Sequence, residues 1–382
     1  MNKCRSEDGT GHAPEKAAAA PRKTNPFVAD KILGHVDRVR DWLVSGRSRP
    51  ITVEFDLTNR CNQGCPRCFG FHPKRGASQM ALEDARRILR QVQALGARGV
   101  TFTGGGDPLV SPIVIPVLRF ARELGLDLGF ITNAAALTEE SARVVLECCQ
   151  WVRVSLDAAS PEIYKLTHGM DGPDWRAVLE NMRLLLKLKQ QASLACTVGI
   201  GFLTSAESRQ DILSFAALGR ELGVDYVQYR PLLRRFGEAE LNYSDPAVLA
   251  SIRRAREFAH DGFQVVDSEH KYRLIQEGDW RRTYAQCYGQ NFATVVAADS
   301  RMYICCHMRG VEKYCIGDLS RQSLEEIWDS PRRQEVAATV DFRDCPPLCR
   351  CDSFNHILWR LRQEGLEPPV SATTLQRHPN FI

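Results

Sequence analysis

The sequence predicts an α/β fold in which helices wrap a parallel sheet, followed by a small cysteine-rich carboxyl-terminal domain. Three observations predict it. From residue 51, short β-branched runs alternate with longer amphipathic ones, the pattern of repeated βα units. Six such runs occur, fewer than the eight strands of a closed βα-barrel. Near residue 285 the alternation stops, and seven of the fourteen cysteines fall within 287–351. The 382 residues suit one large domain plus a smaller one, at ~150 residues per domain.

Residues 1–26 mix Gly, Pro, Ala, Lys and Glu without a period, which predicts a mobile tail with Cys4 a free thiol. Within 27–50, Val28, Ile32, Val36, Val39 and Leu43 recur at helical spacing, predicting a helix packed on the main domain. The main domain is assigned to 51–284. Its strands are predicted at 51–58, 99–104, 128–133, 151–157, 195–202 and 226–231, with helices near 82–95, 112–124, 139–149, 174–190 and 207–222. The small domain is assigned to 285–360 and a tail to 361–382.

Composition excludes several classes. At 44% hydrophobic and 25% charged the chain is an ordinary globular protein. Fifty basic and 46 acidic residues give a net charge of only +4, with no basic tract or aromatic ladder, so nucleic acid is not the expected partner. No apolar run approaches the ~20 residues of a membrane span, and the amino terminus lacks the regions of a signal peptide. The expectation is a cytoplasmic protein, where thiols stay reduced and clustered cysteines hold metal.

Ligands of parallel α/β sheets gather at the carboxyl ends of the strands. The first strand ends in Cys61-Asn62-Gln63-Gly64-Cys65-Pro66-Arg67-Cys68, three thiols within eight residues. A cubane iron–sulfur cluster normally takes four thiolates, so three leave one iron open to a substrate or cofactor. Closely spaced cysteines also hold zinc, and these residues alone leave both readings open. The second strand ends in Gly104-Gly105-Gly106-Asp107, where missing β-carbons permit close approach and positive φ. The third ends at Asn133 and the fourth at Ser155, residue types that also serve as turn formers and caps. In the sixth, alternation sends Gln228 and Arg230 to one face. If that face is the interior, Arg230 is a buried charge that needs a partner, either a ligand or a barrel carboxylate.

The three-then-two spacing of Cys61, Cys65 and Cys68 just past a strand resembles the radical S-adenosylmethionine (radical SAM) superfamily. The resemblance implies a partial (βα)6 TIM-like barrel and a [4Fe-4S] cluster on those three cysteines. It also implies SAM chelating the open iron, and an external one-electron reductant such as flavodoxin or ferredoxin. Reductive cleavage of SAM would then yield a 5′-deoxyadenosyl radical that takes hydrogen from a substrate. The family often has an aromatic before the third cysteine; here Arg67 stands there, with Phe69 one place later. The glycine loop corresponds to the family's Gly-Gly-Glu, with Asp107 in place of Glu, so Gly104, Gly105, Gly106 and Asp107 are candidate SAM contacts. Asn133, Ser155, Arg230 and His168 are further ones, His168 lying where relatives often carry an Arg to the SAM carboxylate.

The second cysteine group, roughly 286–358, resembles the SPASM extension or its shortened twitch form. The resemblance assigns one auxiliary [4Fe-4S] cluster to Cys287, Cys305, Cys345 and Cys349, with Cys351 able to displace either of the last two. Ser300 replaces the usual glycine. A structural zinc knot is the alternative. Cys306 and Cys315 are left over as thiols that could donate hydrogen to a substrate radical. Together these imply a radical SAM oxidoreductase or epimerase acting on a small molecule, by likeness a sugar, aminocyclitol or nucleoside in antibiotic or other natural-product biosynthesis. A peptide maturase is the alternative, disfavoured because only fifty residues precede the first strand. A zinc-stabilised binding protein without activity is the reading of another class.

Overall fold

The computed structural model describes residues 29–68, 77–234, 245–278, 281–365 and 377–382. The predicted tail with Cys4, and Phe69, lie outside these residues. A 3-10 turn at Ala29–Gly34 leads into α1 (Val36–Ser45), and the main domain runs β1 (Thr52–Asp56), α2 (Leu82–Ala94), β2 (Gly99–Thr103), α3 (Val114–Glu123), β3 (Asp127–Thr132) and α4 (Glu139–Cys148). It continues with β4 (Trp151–Ser155), α5 (Pro161–His168), α6 (Gly172–Gln191), β5 (Thr197–Thr204), α7 (Ile212–Leu222) and β6 (Tyr226–Pro231). Next come α8 (Pro246–Ala255), β7 (Gln264–Asp267) and α9 (Glu269–Glu277). The last part holds β8 (Ala293–Val296), β9 (Arg301–Tyr303), β10 (Cys315–Asp318), α10 (Leu324–Asp329), α11 (Pro331–Ala338) and α12 (Asp352–Glu364).

One sheet runs through the whole chain in the order β10-β9-β8-β1-β2-β3-β4-β5-β6-β7. Neighbours from β8 to β7 are parallel, and the two pairs at the other end, β8–β9 and β9–β10, are antiparallel. The six predicted βα units form the partial barrel. β7 with α8 and α9 adds to it beyond the predicted set, because Val265 and Val266 alone are too short a β-branched run to announce a strand. On the other side β8 pairs with β1, Thr52 opposite Ala293. The cysteine-rich part therefore continues the barrel sheet and covers what would be an exposed hydrophobic edge.

Alternation decides the two faces. Val53 and Phe55 point into the helix layer with Val100, Phe102, Leu128 and Phe130, all fully buried. There they meet Ile88 and Leu89 of α2 and Val117 and Leu118 of α3, and Phe55 packs edge-on to Phe102 at 5.8 Å. Thr52, Glu54 and Asp56 face the interior. Local signals fix the helix ends: Thr138 and Ser141 form a capping box on α4, and Ser160 caps α5, which Gly169 closes at φ 67°.

Residues 377–382, placed in a tail by the sequence, fold across the amino ends of the strands. The Asn380 carbonyl accepts from Thr52 Oγ1 at 2.7 Å, and Asn380 Nδ2 donates to Asp127 at 2.6 Å. His378 Nε2 meets Thr197 Oγ1 at 3.0 Å, and Lys31 Nζ donates to the His378 carbonyl at 2.9 Å. Phe381 packs edge-on to Trp151 at 5.4 Å. The segment is the floor of the barrel. Edge-to-face aromatic pairs contribute about 0.5–1.5 kcal/mol beyond area burial, so Phe381→Ala is expected to lower unfolding free energy by about 1 kcal/mol in urea titrations.

Candidate functional site

The carboxyl ends of β1 and β2 meet through backbone. The Gly106 amide donates to the Thr58 carbonyl and the Asp107 amide to the Arg60 carbonyl, each at 3.0 Å. A Cβ at Gly106 would lie 1.8 Å from the Arg60 oxygen, and one at Gly105 would lie 2.2 Å from Asn59 Oδ1. The glycines are required by this contact between two loops rather than by φ, since none of the three has positive φ. The Asp107 carboxylate accepts from the Leu109 amide, Thr132 Oγ1 and the Asn133 amide. This buried side chain ties the glycine loop to the end of β3 while lining the same cavity as the thiols.

The cysteine loop is held from two other sides. Asn133 Nδ2 donates to Asn62 Oδ1 at 2.8 Å and lies 3.7 Å from Cys61 Sγ. The Gly64 amide donates to the His168 carbonyl at 3.1 Å. The His168 ring stacks on Tyr164 at 4.5 Å, its Nδ1 meets Thr167 Oγ1, and burial lowers its pKa, so it is neutral at pH 7. A neutral, stacked imidazole serves the loop better than it would a carboxylate. Burial, then Cys68, Asp157 and Cys61, push the Cys65 thiol up.

Cys61, Cys65, Cys68, Gly104, Gly106, Asp107, Asn133, Ser155, His168 and Arg230 all line one cavity of about 1070 Å³. Of the predicted cofactor contacts, Gly105 is the one set back from it. The three thiols thus open together onto a space flanked by the glycine loop.

The second group converges behind the opposite wall. Burial and then Cys349 push Cys287 up, and burial with Cys349 and Cys287 holds Cys345 up at about 12. Cys351 interacts with Cys349 and Cys287, and Cys305 with Cys306, Cys345 and Cys287. Asn355, 1% exposed, organises the group. Its Oδ1 accepts from the Tyr288 and Gly289 amides at 2.9 and 2.7 Å, and its Nδ2 lies 3.6 Å from Cys287 Sγ. Of the two leftover thiols, Cys306 faces the cavity. Cys315 points away into a small cluster with Val295, Ala297 and Tyr303, 3.5 Å from the Gly317 carbonyl.

A buried charge junction joins the two halves. Arg309 bridges Glu54 at 2.9 Å and Asp56 at 2.5 Å, and Arg350 pairs with Glu54. Arg350 and Arg309 hold the Glu54 carboxyl below its ordinary value against burial. Asp56, fully buried and sharing Arg309 with Glu54, is raised to about 6. His307 beside them is pushed down to about 3 by burial and then by Arg350. Sequence reasoning missed Arg309, Arg350, His307 and Arg153, although alternation along Trp151–Ser155 places Arg153 on the same face as Ser155.

Among the described residues, no three side chains of His, Cys, Asp or Glu converge on one point as a single-ion site requires. A cubane takes one thiolate per iron, so its ligands stand apart. Both all-thiol donor sets, one of three and one of at least four, fit that chemistry.

Residues 55–216 match the family model of the Radical SAM superfamily, and 287–352 match that of SPASM, an iron–sulfur cluster-binding domain. The chain is 32% identical over 174 residues to a probable GTP 3′,8-cyclase of Thermococcus kodakarensis, covering 44% of this chain and about half, 54%, of the cyclase. It is 22% identical over 315 residues to an AdoMet-dependent heme synthase of Methanosarcina barkeri, covering 75% of this chain and 84% of the synthase. The fold is that of SuiB from Streptococcus suis bound to S-adenosylmethionine, with TM-score 0.60 and 16% identity over 79% of this chain and 71% of that one. The domains imply a [4Fe-4S] cluster with SAM and an auxiliary iron–sulfur cluster.

Two outcomes follow from the side chains. Asn355→Ala strands two buried amides, each costing about 1–3 kcal/mol, so a large loss of stability is expected in chemical denaturation. Asp56 has a folded pKa above its unfolded one, so its contribution is present below pH 4 and is lost as pH rises through about 6. The unfolding free energy of the wild type minus that of Asp56→Asn is therefore expected to fall between about pH 4 and 6, read from urea titrations across that window.

Proposed function

We propose that this chain, which belongs to the radical SAM superfamily and closes in a SPASM domain, oxidises a small molecule held between its two thiol clusters. The observation that carries the reading is one cavity of about 1070 Å³ lined by Cys61, Cys65 and Cys68 on one side and by Cys306, Arg309 and Arg350 on the other. When bound, the first cluster with SAM supplies a 5′-deoxyadenosyl radical and the auxiliary cluster supplies a route for an electron. Cys61, Cys65 and Cys68 would hold the first, and Cys287, Cys305, Cys345 and Cys349 the second, with Cys351 the competing ligand. Asn133 and His168 orient the first thiol loop. Asp107 keeps the glycine loop against it, while Gly104 and Ser155 face the cofactor side. Residues 377–382 close the floor and limit water entry from below.

Cavity volume suits this reading. Pockets for one drug-sized ligand span ~300–1,000 Å³, so the cavity has room for SAM beside a compact substrate. A sugar, aminocyclitol or nucleoside with a secondary alcohol is the proposed class, the alcohol leaving as a ketone. Relatives are named for a nucleotide, for haem and for peptide maturation, which supports radical chemistry in general and leaves a peptide substrate as the alternative.

Cys306 supports a second reading. A thiol on the cavity wall can give a hydrogen atom to a substrate radical and produce epimerisation instead, the thiyl radical left behind being restored by a proton and one electron from the external reductant. Product formed in heavy water separates the two: carbon-bound deuterium without net oxidation assigns the reaction to epimerisation, with its loss in Cys306→Ser assigning the donor, and a ketone assigns it to oxidation.

The class is tested by metal analysis. Anaerobically reconstituted protein is expected to hold about eight irons and to convert SAM to 5′-deoxyadenosine. Cys65→Ala is expected to lose that conversion and about half of the iron. Colourless protein with stoichiometric zinc would overturn the reading.

A further inference from the structure

Of the cations that line the cavity, Arg153, Arg230 and Lys271 stand together in its middle, and no carboxylate among the described residues forms an ion pair with any of these three. Arg153 on β4 and Arg230 on β6 flank β5, and both cross over Gly201. A Cβ there would lie 3.4 Å from Arg153 Cδ and 3.6 Å from Arg230 Nη2. Arg153 Nη1 donates to Gln228 Oε1 at 3.1 Å. The Nε of each arginine is buried without a hydrogen-bond partner. Lys271 on α9 faces the same space, and its Nζ reaches the Cys349 carbonyl only at 3.5 Å.

Cys65, Asp157, Arg230 and Lys271 line the one cavity, and the Lys271 contact to the Cys349 carbonyl places the ammonium next to the second thiol group. Burial depresses both guanidinium groups, Arg153 to about 9 with Arg230 adding repulsion, and the more distant Asp157 offsets this only in part. Like charges held out of water cost several kcal/mol per ion unless an opposite charge joins them. By contrast, Arg309 and Arg350 nearby already have Glu54 and Asp56.

We infer that Arg153, Arg230 and Lys271 form an anion subsite for the substrate, which narrows the class proposed above to members that carry a carboxylate or a phosphate, such as a sugar acid, a sugar phosphate or a nucleotide, and removes a free aminocyclitol from it. The inference rests on the substrate occupying this cavity, as proposed above. Two guanidinium groups offer the paired donors that carboxylates and phosphates accept, and the ammonium adds a third charge on the side of the second cluster.

The carboxylate of SAM has the same chemistry, so the test must separate the two sources. Cluster-loaded protein is titrated with inorganic phosphate and, separately, with acetate, by calorimetry with and without saturating SAM. The expected result is binding of at least one anion in the presence of SAM. Arg153→Met and Lys271→Met are each expected to weaken it about tenfold or more, with SAM affinity changed by less than about threefold. Anion binding abolished by SAM, or SAM affinity lost with the anion in both variants, would assign the cations to the cofactor and overturn the inference, as would no anion binding at all. The SAM competition needs no variant, so a misfolded variant leaves the test intact. Failure of the proposed function would show separately, as missing iron or missing 5′-deoxyadenosine in the wild type.

Discussion

The contact on which the upper end of the barrel depends is backbone against backbone, where Gly105 and Gly106 lie on Asn59 and Arg60. No other residue type fits there, because a β-carbon at Gly106 would enter the Arg60 carbonyl at 1.8 Å. With the glycine loop fixed, Asp107 draws in the end of β3 through Thr132 and the Asn133 amide, and Asn133 then reaches Asn62 and Cys61. The thiol loop is thus positioned by a chain of short contacts rather than by its own three cysteines. That matters for a cofactor site, where pre-organised ligands need not be ordered when the group arrives.

The second half is oriented by charge. Burying an ion pair returns little net stability, since desolvation offsets attraction, but breaking it leaves a charge stranded. Glu54 and Asp56 on β1 can be satisfied only when Arg309 and Arg350 reach them, and both arginines stand within a few residues of candidate cluster thiols, Cys305 before one, Cys349 and Cys351 around the other. Any misplacement of the cysteine-rich part would leave two carboxylates buried without partners. The junction fixes register more than it adds stability, and β8 pairing with β1 through Phe55 and Val296 sets the same register by hydrogen bonds.

Much of this was legible in the residues. The six strands stood out because short β-branched runs alternate with longer amphipathic ones, and the thiol spacing pointed to the first site. What the sequence could not show were roles decided by distant partners. Asp107 and His168 read as cofactor contacts from position alone; the fold adds that one also clamps a neighbouring strand and that the other is buried and stacked on Tyr164. Cys306 and Cys315 were equivalent in sequence until the start of β10 turned one of them away. Arg153 was readable from alternation on β4 but not interpretable, since its significance comes from Arg230 two strands away.

The interior follows one rule that unites floor, middle and rim. Where a strand offers glycine, a neighbour sends a large side chain across it. Gly129 pairs in register with Trp151, whose ring occupies the place of the missing β-carbon at 2.4 Å. Gly199 pairs with Tyr226 in the same way at 2.2 Å. These rings, with Phe381, make the lower layer apolar. One step up, Gly201 opens room for guanidinium groups instead of rings, and the lining becomes cationic; at the rim, Gly104 and Gly106 leave bare backbone beside the thiols. Because side chains two residues apart on a strand share a face, this gradient is written along β4 as Trp151, Arg153 and Ser155. A ligand descending from the thiols therefore meets backbone, then the paired guanidinium groups, then a floor of rings with the Lys31 ammonium already bound to the His378 carbonyl, so the middle layer is where paired donors are still open to an anionic group.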